Sequence, residues 1–330
     1  MKDVATEKLR SPFADEITAY LRYKRRLGKR YETEEYDLRL FDRYLWEKKI
    51  LQRQQVTNAV IVDFLSSRPR RTARSYNGLL GDVRRFFGWL TMQGKISSSP
   101  VSSQPMRRGT SRRPFILNST QVERLLDATA TLKARKQAAR RGHTYRMIFA
   151  LLYTLGLRVS EARNLKIKDV DFERNILTIR ESKFSKTRLV PFGPNLSARL
   201  FSYMSACSAT GCYPENFLFS FDPSRSRPIK RQTIGHVFRA LIPFMKLKLQ
   251  PGQTKPRLHD LRHSMAVGTL LRWYQEGRDP STLLLQLSTF LGHADLSSTT
   301  VYLEMTEELL QVAGRRFEQF AKPLIGGRNL

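Results

Sequence analysis

The chain has 330 residues and only five histidines. Two of them stand in the stretch RLHDLRHSMA, residues 257–266. His259 and Arg262 are three positions apart, so on a helix they share a face and can address one group. His263 follows within the same turn. Three further pieces carry comparable chemistry. GLRVSEARNLKIKDVD places Arg158 just past Gly156, with Glu161 one helical turn later. SKFSKTR holds Lys183 and Lys186, and LGHADLSSTTVY holds His293 and, nine residues on, Tyr302. Arginine grips a phosphate with a planar fork of donors. Two arginines can neutralise the charge that develops on five-coordinate phosphorus. Histidine moves protons near neutral pH, lysine can donate one to a departing oxygen, and a positioned tyrosine is a covalent nucleophile. Such a set needs no metal, because the protein's own cations screen the charge.

The elements that must position these residues sit in a strongly basic chain. Lys plus Arg number 58 against 29 Asp plus Glu, a formal net charge of +29. Like charges repel, so this imbalance does nothing for the chain's own stability and points to a polyanionic partner, nucleic acid first. No run of about 18 apolar residues is present to span a bilayer. The N-terminal MKDVATEKLRSPF lacks the apolar core of a secretory signal. The two cysteines, Cys207 and Cys212, read as reduced thiols of a cytoplasmic protein.

The stretch KISSSPVSSQPMRRGTSRRP at 95–114 is rich in Ser, Pro and Arg and has no hydrophobic period. It reads as an extended basic linker, giving an N-terminal part at 1–96, a linker at 97–114 and a larger part at 115–330. Apolar residues at Tyr76, Leu79, Leu80, Val83, Phe86, Phe87 and Leu90 step with a helical period, and about four short helices fit the N-terminal length. Arg71, Arg74 and Arg84 fall mostly off the apolar stripe. With Arg107, Arg108, Arg112 and Arg113 of the linker they are candidate phosphate contacts. In the larger part, Asn118 or Ser119 is a candidate N-cap with Glu123 early in the helix. A second apolar helix ends at Gly156. Ile176, Thr178 and Ile179, then Leu189 and Val190, suggest two short strands joined by a basic turn, and helices return from about Thr233. The expected fold is mainly α with a small β-sheet.

Two other functional classes compete at this stage. His259 and His263 at i, i+4, with His293 as third ligand, are a zinc arrangement for a metal-dependent hydrolase. The motif lacks the acidic base of H-E-x-x-H, and its arginines repel a cation. A non-catalytic DNA-binding protein is the second alternative, and it would be expected to have lost one of Arg158, Arg262 or Tyr302. His263 reads as a structural neighbour of the site; His143 and His236 receive no role.

In order and spacing the four pieces resemble the tyrosine recombinases, the integrase family. TLGLRVSE is similar to that family's first box, with Arg158 as its catalytic arginine. KFSKTRLVPF resembles the β-hairpin carrying the catalytic lysine, at Lys183. LHDLRHS resembles the second box, giving His259 and Arg262, and LGHADLSSTTVY the third, giving His293 and the nucleophile Tyr302. The resemblance covers residues 115 to about 320 and, more loosely, the N-terminal helices. It implies a helical core-binding domain followed by an α+β catalytic domain. It also implies a 3′-phosphotyrosine intermediate made without cofactor, metal or ATP, and Glu161 orienting Arg158. The implied partners are double-stranded DNA at a specific site and a homotetramer, with other recombinases or accessory proteins as further partners. LLQVAGRRFEQFAKPL at 309–324 resembles the tail that docks on a neighbouring protomer. The long segment 270–290 is like that of mobile-element members, which implies integration, excision or transposition.

Overall fold

The computed structural model describes residues 8–107, 109, 112–136, 138–180, 187–208, 213–249, 253–293 and 295–304. Lys183, Arg108, Cys212 and the segment 309–324 lie outside the described residues. The chain divides into two compact units, Met1–Arg112 and Arg113–Leu330.

Among the described residues of the first unit the helical period of the sequence becomes four α-helices: α1 (Ala14–Arg26), α2 (Glu32–Glu47), α3 (Asn58–Ser67) and α4 (Ala73–Met92). Thr72 starts α4 by accepting the Ser75 amide on its hydroxyl at 3.2 Å, satisfying one orphan donor. Leu79, Leu80, Val83, Phe86, Phe87 and Leu90 are all at most 1% exposed, and Phe87 meets Phe13 and Phe41 edge-on. The segment read as a linker is not free along its length. Val101 is buried with this core. The amides of Ser102 and Ser103 donate to Asn58 Oδ1 at 3.1 Å, and Met106 exchanges two 2.8 Å bonds with the Asn77 side chain. Two asparagines thus replace the missing hydrophobic period as anchors.

The second unit runs α5 (Ser119–Ala128), α6 (Arg141–Thr154), α7 (Val159–Asn164), β1 (Val170–Asp171), β2 (Ile176–Ile179), β3 (Arg188–Pro191), α8 (Pro194–Ser208), α9 (Arg231–Leu241), α10 (Leu258–Gln275), α11 (Pro280–Leu291) and α12 (Ser297–Thr300), then a 3-10 turn over Val301–Glu304. Asn118 caps α5, in a reciprocal pair with Gln121 rather than Glu123. The sheet is antiparallel in the order β1-β2-β3. Among the described residues it has three strands where the sequence suggested two, because the two-residue β1 is too short to show a period. The inward phase also differs from the sequence reading. Leu177, Ile179 and Val190 are buried, while Leu189 is exposed. Pairing of Ile179 with Arg188 and of Leu177 with Val190 puts these four residues on one face. Helix α6 packs on α10, and its Tyr145, Ile148, Phe149, Leu151 and Leu152 join one core with Leu261 of α10. That contact brings the Gly156–Arg158 corner against the first turns of α10.

Candidate active site

Helix α6 ends where Gly156 takes φ +58°, in the left-handed region that glycine enters at no steric cost. A Cβ here would lie 2.6 Å from Leu291 Cδ2 and 3.2 Å from Met265 Sδ. The close approach lets the Gly156 carbonyl accept Arg262 Nη1 at 2.6 Å. Arg262 Nη2 donates to the Leu291 carbonyl at 2.7 Å. One buried guanidinium, 1% exposed, therefore joins the ends of α6 and α11 to α10. Its Nε is buried and has no hydrogen-bond partner among the described residues. Burial, then the charge of Arg158, pushes its pKa down to about 10, so it stays a cation at neutral pH.

Arg158 precedes α7. Its amide donates to Glu161 Oε2 at 2.9 Å and its Nη1 to Glu161 Oε1 at 2.6 Å, while Nη2 reaches the Gly292 carbonyl at 2.7 Å. Glu161 is buried. Burial alone would raise its carboxyl, but hydrogen bonds and charge from Arg188 and then Arg158 outweigh that and hold it at about 2. In the sequence Arg188 is one more cation of the basic turn SKFSKTR. It is instead mostly buried and donates to both Glu161 oxygens at 2.9 Å. The strand phase was the signal that could have found it. Arg188 pairs with the buried Ile179 and precedes the buried Val190 by two, so it faces inward and needs a carboxylate.

Arg257 caps helix α10, its amide donating to Asp260 Oδ2 at 2.8 Å. Ser264 then fixes α10 to the segment before α5, donating to the Asp260 carbonyl and accepting the Leu117 amide at 2.8 Å. These bonds set the helix start so that His259, Arg262 and His263 lie at its positive end, which favours an anion. The rings of His259 and His263 meet edge-on at 4.6 Å. His263 Nδ1 lies 3.1 Å from the Tyr302 hydroxyl, and the His293 ring stacks on Tyr302 at 6.1 Å and 25°. His293 Nδ1 pairs with Thr299 Oγ1 at 2.7 Å. Tyr302 itself is 1% exposed, its ring in a small apolar cluster with Val267, Leu270, Leu287 and Leu291. His263, read as a structural neighbour only, is thus in direct contact with Tyr302. Their separation of 39 positions hides that contact from any local pattern.

Arg158, Glu161, His259, Arg262, His293 and Tyr302 therefore come together, joined by Arg188 and His263. Among the described residues no group of three or more His, Cys, Asp or Glu is placed to hold a metal ion. Of the candidate DNA contacts, Arg71, Arg74, Arg84, Arg107 and Arg113 are exposed and Arg112 is half-buried. Arg84 also donates to the Ser103 carbonyl.

Loss of water at the α10 start pushes His259 down to about 4, helped by His263, Arg262 and Arg158; the residue is nonetheless exposed, so solvent screens part of that push. Burial, then Arg262 and Arg158, pushes His293 down to about 4 as well. His263 is lowered by burial, with Asp260 opposing. Burial raises Tyr302, against the charge and hydrogen bonding of Arg262 and the charge of Arg158. All three rings are neutral near pH 7. An unperturbed histidine titrates near 6.5, so the fold favours the neutral form. Stability from this source is whole above about pH 6.5 and is lost as pH falls towards 4. The melting temperature should hold steady from pH 8 to 6.5 and decline below. The decline should be shallower in His293→Gln; an identical acid limb in both proteins would contradict the assignment.

Comparison with known proteins shows the family. The Phage integrase family profile matches residues 116–308. A protein of Sinorhizobium fredii named as an integrase/recombinase, y4rB, is 33% identical over 94% of this chain and 98% of its own length. The tyrosine recombinase XerD of Shewanella oneidensis is 29% identical over 83% of this chain and 85% of its own. Among solved structures, a XerH site-specific recombinase in a post-cleavage complex with a difH substrate matches with TM-score 0.61 at 20% identity, covering 88% of this chain and 78% of that one. The Tn1549 transposon integrase in complex with transposon right end DNA matches with TM-score 0.63 at 16% identity, covering 93% and 98%. The chain belongs to the phage integrase family, the tyrosine recombinases, enzymes that cut and rejoin DNA strands. Among the described residues no helix is long and apolar enough to cross a membrane.

Proposed function

We propose that this chain recombines duplex DNA at a specific site, with Tyr302 as the nucleophile. The observation that carries the reading is the setting of that hydroxyl. It lies on His263 Nδ1 at 3.1 Å, beneath His293 and beside the buried cation Arg262. The Tyr302 oxygen attacks a scissile phosphorus and the bond from phosphorus to O5′ breaks. A 3′-phosphotyrosine forms and a 5′-hydroxyl leaves. Attack by the partner strand's 5′-hydroxyl reverses the step, so the bond energy is kept and no nucleotide triphosphate is consumed. Arg158 and Arg262 hold the non-bridging oxygens and offset their growing charge. Glu161 orients Arg158. Neutral His259 assists proton transfer, His293 donates a hydrogen bond to a phosphate oxygen, and Lys183 protonates the leaving oxygen. Because the Tyr302 ring is buried, the segment 297–304 must shift for the hydroxyl to meet a phosphate.

Arg71, Arg74, Arg84, Arg107, Arg108, Arg112 and Arg113 contact backbone phosphates of the duplex. The enzyme acts as a homotetramer on its site, with the segment 309–324 docking between protomers and other recombinases or accessory proteins joining it. It works in the cytoplasm, where its DNA substrate lies. Integration, excision or transposition of a mobile element is the biological outcome that the integrase relatives support. The protein's own cations do the screening, so EDTA should leave the reaction intact. Mixed with fragmented chromosomal DNA in EDTA and then denatured in SDS, the protein should carry covalently bound DNA. Adducts that need added divalent metal would contradict this mechanism.

A further inference from the structure

We propose that Arg188 is a positioning residue of this site, holding Arg158 through Glu161 and shaping the turn that carries His293. The proposal rests on the reading of Arg158, Arg262 and Tyr302 given above. Arg188 leaves the sheet on its inward face, with a side chain 12% exposed. Nη1 and Nη2 donate to Glu161 Oε1 and Oε2 at 2.9 Å, and Nε to the Phe290 carbonyl at 3.1 Å. One guanidinium thereby ties β3, α7 and the end of α11 together.

Two consequences follow from that geometry. The first is electrostatic. Glu161 accepts from the Arg158 amide, from Arg158 Nη1 and from both Arg188 Nη atoms, which uses its four acceptor sites. Arg158 and Glu161 alone are neutral as a pair; Arg188 returns one positive charge to the group. Without Arg188, each carboxylate oxygen keeps its bond from Arg158 and gains a vacant acceptor site, so the Arg158 guanidinium can close on Glu161 as a fork, away from a phosphate. The second consequence is steric. Gly292 has φ +66°, and a Cβ on it would lie 2.8 Å from Arg188 Nη1 and 2.9 Å from Cζ. The Gly292 carbonyl accepts Arg158 Nη2 at 2.7 Å. Gly292 is thus sandwiched between the two arginines, and the backbone leading to His293 is set by both.

The test uses the full-length protein and the SDS-stable adduct formed on fragmented chromosomal DNA, with affinity for the same fragments measured by filter binding. Arg188→Ala and Arg188→Lys should each form adduct roughly 10- to 100-fold more slowly, since small misplacements of reacting groups cost about that much. Affinity should stay unchanged. Lysine keeps the charge but cannot make the three directed bonds, so full rescue by Arg188→Lys would overturn the positioning role. Glu161→Gln should be slow too, and adding Arg188→Ala to it should slow it little further, because both changes break one unit. Additive losses, or a parent-like rate in Arg188→Ala, would overturn the proposal. If Arg188→Ala does not fold, Gly292→Ala carries the test, since its new methyl displaces the same guanidinium. Slow adduct at normal affinity is expected there, and a parent-like rate overturns the proposal. A parent protein that forms no adduct at all removes the function reading and this inference together. Adduct in the parent with undiminished adduct in the variants removes this inference alone.

Discussion

Tyr302→Phe is expected to abolish covalent attachment to DNA while leaving the fold and DNA affinity nearly unchanged. The substitution removes one oxygen. That oxygen is the atom that would bond to phosphorus, and the neighbouring groups do not stand in for it: the Glu161 carboxylate is held by Arg158 and Arg188, and the Thr299 hydroxyl is paired with His293. Loss of the nucleophile from a catalytic unit costs on the order of 10⁶ in rate, which places adduct below detection. The structural cost is small by comparison. The phenyl ring keeps its packing on Val267, Leu270 and Leu291, and the lost bond to His263 Nδ1 is worth about 1 kcal/mol. Thermal melts and filter binding therefore serve as controls. Adduct persisting in Tyr302→Phe would assign the nucleophile elsewhere.

Arg262→Lys should produce the second large effect, and of a different kind. Arg262 does two jobs with one guanidinium. Its Nη atoms bridge the Gly156 and Leu291 carbonyls, and its charge lies beside Tyr302. An ammonium keeps the charge but cannot bridge two carbonyls in fork geometry. Loss of a directed transition-state contact costs about 10²–10³ in rate, and each buried carbonyl left unpaired costs on the order of 1–3 kcal/mol. Adduct formation should thus fall by about that factor, together with the midpoint of denaturant unfolding. Tyr302→Phe should lose rate without stability, so the pair separates chemistry from architecture. A lysine variant as active and as stable as the parent would contradict the dual role.

The parts of this site legible in the sequence are those set by local spacing. Arg158 and Glu161 are three apart, as are His259 and Arg262, and helical geometry brings each pair together. Nine residues from His293 to Tyr302 leave room only for a turn and the short α12, so stacking of the two rings follows from a brief connection. What the sequence hid depends on pairing between distant segments. Arg188 looks like a hairpin charge until its register opposite Ile179 turns it inward. His263 meets Tyr302 only because α10 and the end of the described chain pack together around Leu270 and Leu287. The strand phase was missed for a related reason. Ile176 and Leu177 are both apolar, and only the partner strand decides which one faces the core. Of the N-terminal unit the helical stripe was fully readable. The anchoring of 101–106 was not, because asparagine side chains rather than apolar residues do it.

The most direct test of the central claim is to identify the bond itself. Adducts formed in EDTA would be digested with protease and nuclease, and the peptide carrying a nucleotide sequenced by mass spectrometry; the released DNA ends would be typed by kinase labelling. The account predicts a nucleotide joined through its 3′-phosphate to Tyr302, and partner ends that accept label directly because they carry a free 5′-hydroxyl. A nucleotide on any other residue, or cleaved ends with a 5′-phosphate and a free 3′-hydroxyl, would contradict it.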